Sequence, residues 1–284
     1  MIPPTRLAAI LFVLAGIVVP VGRAEAQGLI WSLPADGTWV RYEGTYEQTV
    51  HSADPTSAMP QTKLTWLRKT EIKSVGREDA EYAGQATPCR WVEIKTVTGK
   101  ANPDFPLGID PGPAGTRVYK VLIPESRVLG KTVDEAGIPV TFLPIVMGHQ
   151  KIGDGPVQAL GGGVLQVYPS LTLLQHYPAI EPQSAQPEDA QIRFAGGPVA
   201  AVRHVASHTS EGPTNRTANE AEFWISGDVP FGLAKWDVGL TRMEKDAAQP
   251  RGAFRLASES RERMEARQTG TDAKNEAPSE IAVP

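Results

Sequence analysis

Period-two alternation recurs in several segments of this chain, and it points those segments to half-buried strands. From Trp39 to Val50, the residues Val40, Tyr42, Gly44, Tyr46 and Val50 share one face, while Arg41, Glu43, Thr45 and Glu47 share the other. That is the pattern of a half-buried strand. Leu64 to Val75 predicts the next strand, with Gly76-Arg77-Glu78-Asp79 as its hairpin connection. Tyr82 to Ala86, Arg90 to Val97 and Arg117 to Ile123 continue the series. Val164 to Tyr168, Leu171 to Tyr177, Val199 to Ser207, Ala221 to Ser226 and Leu233 to Met243 extend it. The 25 prolines and 27 glycines are spread along the chain, as turns between many strands require.

A short helix around Gly130 to Ala136 is the one helical segment predicted in the body. Helical crossovers of adequate length are missing between strands, so antiparallel pairing is expected. About ten strands in one sheet must curl or close. The expected fold is mainly β: a strongly curved antiparallel sheet, half-barrel or open barrel, with few short helices. Gly99 to Gly115, with Pro103, Pro106, Pro111 and Pro113, is too long for a simple hairpin loop. It reads as a functional flap or a disordered insert.

The two ends read differently from the body. Arg6, the apolar run Leu7 to Val19, and Ala24-Glu25-Ala26 follow the order of a secretory signal. The run is too short to cross a bilayer, so cleavage after Ala26 is expected, leaving Gln27 first. The expected location is periplasmic or extracellular, with no integral membrane segment once the signal is removed. At the other end, Ser258 to Arg267 reads as a charged helical turn and Thr269 to Pro284 as disordered. The expected organisation is therefore a signal peptide at 1–26, a single β-rich domain at 27–257 and a charged tail at 258–284.

Charge narrows the partners. Of 28 basic and 32 acidic residues, Arg6, Arg23 and Glu25 fall in the signal, which leaves 26 and 31 and a formal charge of −5. Nucleic acid and anionic membranes call for clustered Lys and Arg, and neither is expected as a partner. The single cysteine, Cys89, reads as a small buried hydrophobe rather than a nucleophile.

The residue patterns of catalysis are missing. There is no Gly-x-Ser-x-Gly elbow, and Gly161-Gly162-Gly163 lacks the Lys-Ser/Thr of a phosphate loop. His204 and His208 lie four apart on a predicted strand, roughly 13 Å, too far for one metal. They read as two solvent-facing histidines beside a turn. Glu78-Asp79, Asp134-Glu135 and Glu188-Asp189 read as solvated charge. No cofactor and no metal are expected, and an enzyme is not favoured. The six tryptophans all fall in or beside predicted strands, where large aromatics fill a core or line an apolar pocket. The residues expected to line such a pocket are Tyr42, Trp66, Trp91 and Trp224.

Several stretches form a familiar set: Leu-Pro-Ala-Asp-Gly-Thr-Trp-Val at 33–40, Pro-Cys-Arg-Trp-Val-Glu-Ile-Lys at 88–95, Tyr-Lys-Val-Leu-Ile-Pro-Glu at 119–125, Phe-Trp-Ile-Ser-Gly-Asp-Val-Pro-Phe-Gly-Leu-Ala-Lys-Trp at 223–236, and Thr-Gly-Thr-Asp-Ala-Lys at 269–274. Together they resemble a group of uncharacterised exported bacterial proteins. The resemblance implies a bacterial source and a location outside the cytoplasm, but no activity. At the level of architecture, 223–236 is similar to a late hairpin of the half-barrel of periplasmic lipoprotein carriers, in which a curved sheet holds acyl chains. Two functions follow as expectations: an exported protein binding a lipid or other apolar ligand, or a non-catalytic structural or protein-interaction module of the cell envelope.

Overall fold

The computed structural model describes residues 29–54, 59–128, 143–165, 181–183, 192–194 and 197–275. The signal segment 1–26, the predicted helix at 130–136, the predicted strand at 171–177 and the end of the tail, 276–284, lie outside them. The strands are β1 (Trp39–His51), β2 (Gln61–Tyr82), β3 (Gln85–Ala101), β4 (Ile109–Asp110), β5 (Thr116–Pro124), β6 (Leu143–Ile145), β7 (Met147–Ile152) and β8 (Gln158–Leu160). They continue with β9 (Gly163–Leu165), β10 (Glu181–Gln183), β11 (Ile192–Phe194), β12 (Gly197–Val199), β13 (Val202–Glu211), β14 (Asn215–Ile225), β15 (Leu233–Glu244) and β16 (Arg255–Gly270). Helix among the described residues is confined to single 3-10 turns.

Twelve strands form one antiparallel sheet, in the order β10-β13-β14-β15-β16-β1-β2-β3-β5-β7-β8, with β4 on the end of β3. The sheet is open, and β10 and β8 are its edges. It is also strongly curved. The Tyr42 hydroxyl on β1 donates to the Leu233 carbonyl on β15 at 2.8 Å, across the intervening β16. The first and last long strands meet at its centre: Thr269 Oγ1 donates to the Trp39 carbonyl at 2.6 Å, 230 residues away in sequence.

Alternation decides the two faces. Val40, Tyr42, Ile72, Val92, Ile94, Val121, Phe223, Trp236 and Met264 share the inner face and are buried. Each large side chain so buried contributes roughly 1.5–3 kcal/mol. The outer face carries paired charges such as Arg41–Glu71 at 2.7 Å, Lys69–Glu43 at 2.9 Å and Arg261–Asp237 at 2.7 Å. At one end the inner face is closed by Leu29–Trp31 and by Val229 and Phe231, all buried. Trp31 stacks on Phe223 with ring centroids 5.5 Å apart, and its amide donates to the Phe231 carbonyl at 2.8 Å.

Arg90 ties that closing segment to the sheet. Its side chain is buried, and it donates to Glu125 Oε1 at 2.9 Å, to the Pro34 carbonyl at 2.8 Å and to Ser74 Oγ at 2.8 Å. Ser74 Oγ in turn donates to Asp36 Oδ1 at 2.8 Å.

Several elements differ from the sequence reading. The chain does not turn at Gly76–Asp79; β2 runs through with a register shift between Ser74 and Arg77, and the hairpin turns at Ala83 and Gly84. The bulge absorbs the glycine, and the predicted strand at 82–86 is the turn itself. Gly99 to Gly115 is an ordered strap: β3 continues to Ala101, β4 pairs back onto it, and Ile109 is buried.

The largest correction concerns the C-terminal boundary. The stretch from Ser258 is β16, a central strand paired to both β1 and β15, and not a helical turn opening a tail. Ser258, Ser260, Glu262, Met264 and Ala266 face inward against β1, so the domain continues at least to Gly270. The inner face of this strand is too polar to stand out as alternating hydrophobicity.

Candidate functional site

Opposite the closed end, the inner face opens into a cavity of about 710 Å³. Its floor and walls come from alternate positions of distant strands: Tyr46 on β1, Trp66 and Arg68 on β2, Tyr119 on β5, Leu240 on β15 and Glu262 on β16. β5 and β15 stand five strands apart in the sheet order. A flat sheet would separate them by roughly 24 Å, so curvature creates the cavity. The volume lies within the usual range for small-molecule sites.

The floor is a polar network. Arg68 faces Gly44 in the β1–β2 register, and a residue without a side chain there leaves its guanidinium room to cross β1. A Cβ on Gly44 would also meet the Arg263 carbonyl oxygen at 1.8 Å, so the close β1–β16 approach admits glycine alone. Arg68 Nη1 donates to Glu262 Oε2, and Arg68 Nε to Thr98 Oγ1 at 2.8 Å. The other Glu262 oxygen accepts from Trp236 Nε1 at 2.8 Å. Glu262 is 2% exposed. Burial pushes its carboxyl above the usual range, and the attraction of Arg68 and the Trp236 hydrogen bond offset this only in part.

Above that floor the walls are aromatic. Tyr46 and Trp66 stack at 5.8 Å with their planes 29° apart, and the Arg68 guanidinium lies 4.3 Å from the Tyr46 ring centre. At the mouth stand Lys100 and Arg117, both exposed and without an ion-pair partner among the described residues. The strap Asp110–Gly115 forms the rim, where Asp110 Oδ1 accepts from the Gly112 amide at 2.9 Å. Gly115 permits this close seating, since a Cβ there would meet the Thr98 and Pro111 carbonyl oxygens at 2.2 Å.

A second cavity, about 410 Å³, lies on the outer face under the same strap, lined by Phe105, Leu107, Ile109 and Val97. Of the three cations in its lining, Arg41, Lys69 and Lys95, the first two are paired with Glu71 and Glu43, and Lys95 is not without a partner. The inner basin is larger and carries the unpaired charge, which makes it the better candidate.

Of the four residues expected from sequence, Trp66 lines the basin. Tyr42 lies on the same face but in the closed core, 4.9 Å from Trp236 and fully buried. Trp91 is on the outer face, where its indole donates to Glu78 Oε2 at 2.8 Å. Trp224 is also outer-facing and is buried, with the Lys235 ammonium 4.5 Å from its ring. The structure therefore does not gather these four. Tyr46 shared the legible face of Trp39 to Val50, but Arg68, Tyr119, Arg117 and Glu262 carried no local signal.

His204 is buried and stacked on Phe223 at 5.1 Å, not solvent-facing, because it points inward from β13. Burial lowers its pKa and so disfavours the charged ring. Cys89 is buried and its thiol is pushed up by burial, away from thiolate reactivity. Among the described residues no group of three His, Cys, Asp or Glu is placed to hold a metal. Asp134-Glu135 and Glu188-Asp189 lie outside those residues.

No protein-family model matches the chain, and no curated protein is significantly similar to it. Among solved structures, the chain has a distant likeness to that of DynF from the dynemicin biosynthesis pathway of Micromonospora chersina. The match covers 93% of this chain and 92% of that chain, at 13% identity and a TM-score of 0.22. A superposition that poor carries no argument about function.

Proposed function

We propose that this is an exported binding protein that holds a lipid or other apolar small molecule in the basin of its curved sheet. The observation that carries the reading is the 710 Å³ basin itself, walled by the stacked Tyr46–Trp66 pair and Leu240 at the end of the inner face that the core leaves open. Aromatic and aliphatic walls around a few fixed polar groups are the ordinary make-up of a small-molecule site. The similarity of 223–236 to the lipoprotein-carrier half-barrel points the same way. The proposed location is periplasmic or extracellular, with Gln27 as the first residue after export.

Native mass spectrometry of protein purified without detergent tests this reading. The expected result is a chain beginning at Gln27 that carries one adduct, lost on organic extraction. Leu240→Lys places a charge on the basin wall and is expected to remove the adduct while the fold persists. An adduct that survives Leu240→Lys is held elsewhere and ends the assignment to the basin. A bare chain that also fails to bind phenylnaphthylamine, a neutral apolar probe, ends the carrier reading.

A further inference from the structure

We infer that the basin's ligand is an amphiphilic anion, with its apolar body between Tyr46, Trp66 and Leu240 and its head held at the mouth by Lys100 and Arg117. The inference rests on the reading of the basin as a ligand site and adds the chemistry of what occupies it.

Charge accounting leads there. The deep pair is closed: one Glu262 oxygen accepts from Arg68 and the other from Trp236, and Arg68 spends its Nε on Thr98. The floor therefore offers a ligand no uncompensated charge, and only an apolar or neutral body fits against it without breaking buried hydrogen bonds. The mouth is different. Arg117 lies opposite Thr96 in the β3–β5 register, and Lys100 lies opposite Asp110 in the β3–β4 register. Asp110 is the one carboxylate in the lining besides Glu262, and its Oδ1 is occupied by the Gly112 amide. With Arg68 and Glu262 cancelling, Lys100 and Arg117 face Asp110 alone, and the lining holds one positive charge in excess.

Both cations are exposed, so a head group there stays hydrated. That suits a carboxylate, sulfonate or phosphate, and it excludes a cationic head, which would meet two unpaired positive side chains. Arg117 supplies a planar fork able to take two oxygens, and Lys100 supplies a point charge.

Two probes that share one aromatic body separate this inference from the reading beneath it. Phenylnaphthylamine is neutral, and anilinonaphthalene sulfonate adds one anionic group. Fluorescence titration of the full chain is expected to show the sulfonate binding about tenfold tighter or more, as charge-assisted contacts to partly exposed cations allow. Lys100→Gln with Arg117→Gln is expected to erase the difference and leave the neutral probe unchanged, since neither side chain supports the core. Added salt is expected to weaken the sulfonate alone. Laurate and naphthoate, used as competitors, distinguish an acyl chain from an aromatic ring as the natural body, and displacement by either supports the anion. Equal affinity for the two probes, or a sulfonate preference that survives the double substitution, overturns the inference while the basin reading stands. Failure of both probes on the unaltered protein overturns the two together.

Discussion

Arg68→Ala is expected to destabilise the protein by about 3–5 kcal/mol, because it leaves the Glu262 carboxylate buried without its counter-charge. The loss should depend on pH in a defined direction. Glu262 is held above its unfolded value by burial. Such a group contributes stability below its unfolded pKa of about 4.3, and the contribution is lost as pH rises through the folded pKa. Removing Arg68 takes away the main attraction that opposes the rise, so the variant loses more over the same interval. Urea unfolding is therefore expected to show a small difference between variant and parent at about pH 4 and a large one at about pH 7.5. The pair Arg68→Met and Glu262→Met together should recover most of the stability, since apolar groups of similar size ask for no partner. A deficit independent of pH would place the effect of Arg68 in its packing on Tyr46 instead of its charge.

Arg90→Ala comes next in size, at about 3 kcal/mol. It removes the donor to the Pro34 carbonyl and to Ser74 Oγ, and it leaves Glu125 with Arg77 as its remaining ion-pair partner among the described residues. The damage is local in a way hydrogen exchange can read. The Trp31 and Ser32 amides, which bond the Phe231 carbonyl, should exchange much faster than amides in β1 and β2. Urea unfolding with a loss under about 1 kcal/mol would class the network with ordinary surface ion pairs.

The contrast between these arginines and their surroundings marks what the sequence could and could not disclose. Wherever one face was apolar, as at Val40, Tyr42 and Tyr46 or at Val92 and Ile94, alternation revealed the strand and its orientation. β16 escaped because its inner face reads Ser258, Ser260, Glu262, Met264, Ala266, and a glutamate signals solvent by default. Its burial is justified only by Arg68, 194 residues away, and by Trp236 on the neighbouring strand. The basin was hidden for a related reason. Trp66 could be suspected as an aromatic on a strand, but Tyr119 and Leu240 come to line one basin only through accumulated curvature, which no local pattern encodes. Trp91 and Trp224 were misleading because sequence shows that an aromatic lies on a strand without showing which face is concave.

The meeting of β1 and β16 at the centre of the sheet has a kinetic consequence. The sheet consists of two arms, β1-β2-β3-β5-β7-β8 and β10-β13-β14-β15-β16, each running in chain order and, among the described residues, joined to the other by the β1–β16 ladder. During synthesis the first arm can collapse early, yet β1 then presents a bare edge that waits for a strand more than two hundred positions downstream. In that interval the unpaired amides and carbonyls of β1 are a template for any other nascent copy. Edge glutamates and Arg41 on its outer side discourage such pairing. Folding yield, more than final stability, is where crowding of unfinished chains should be felt.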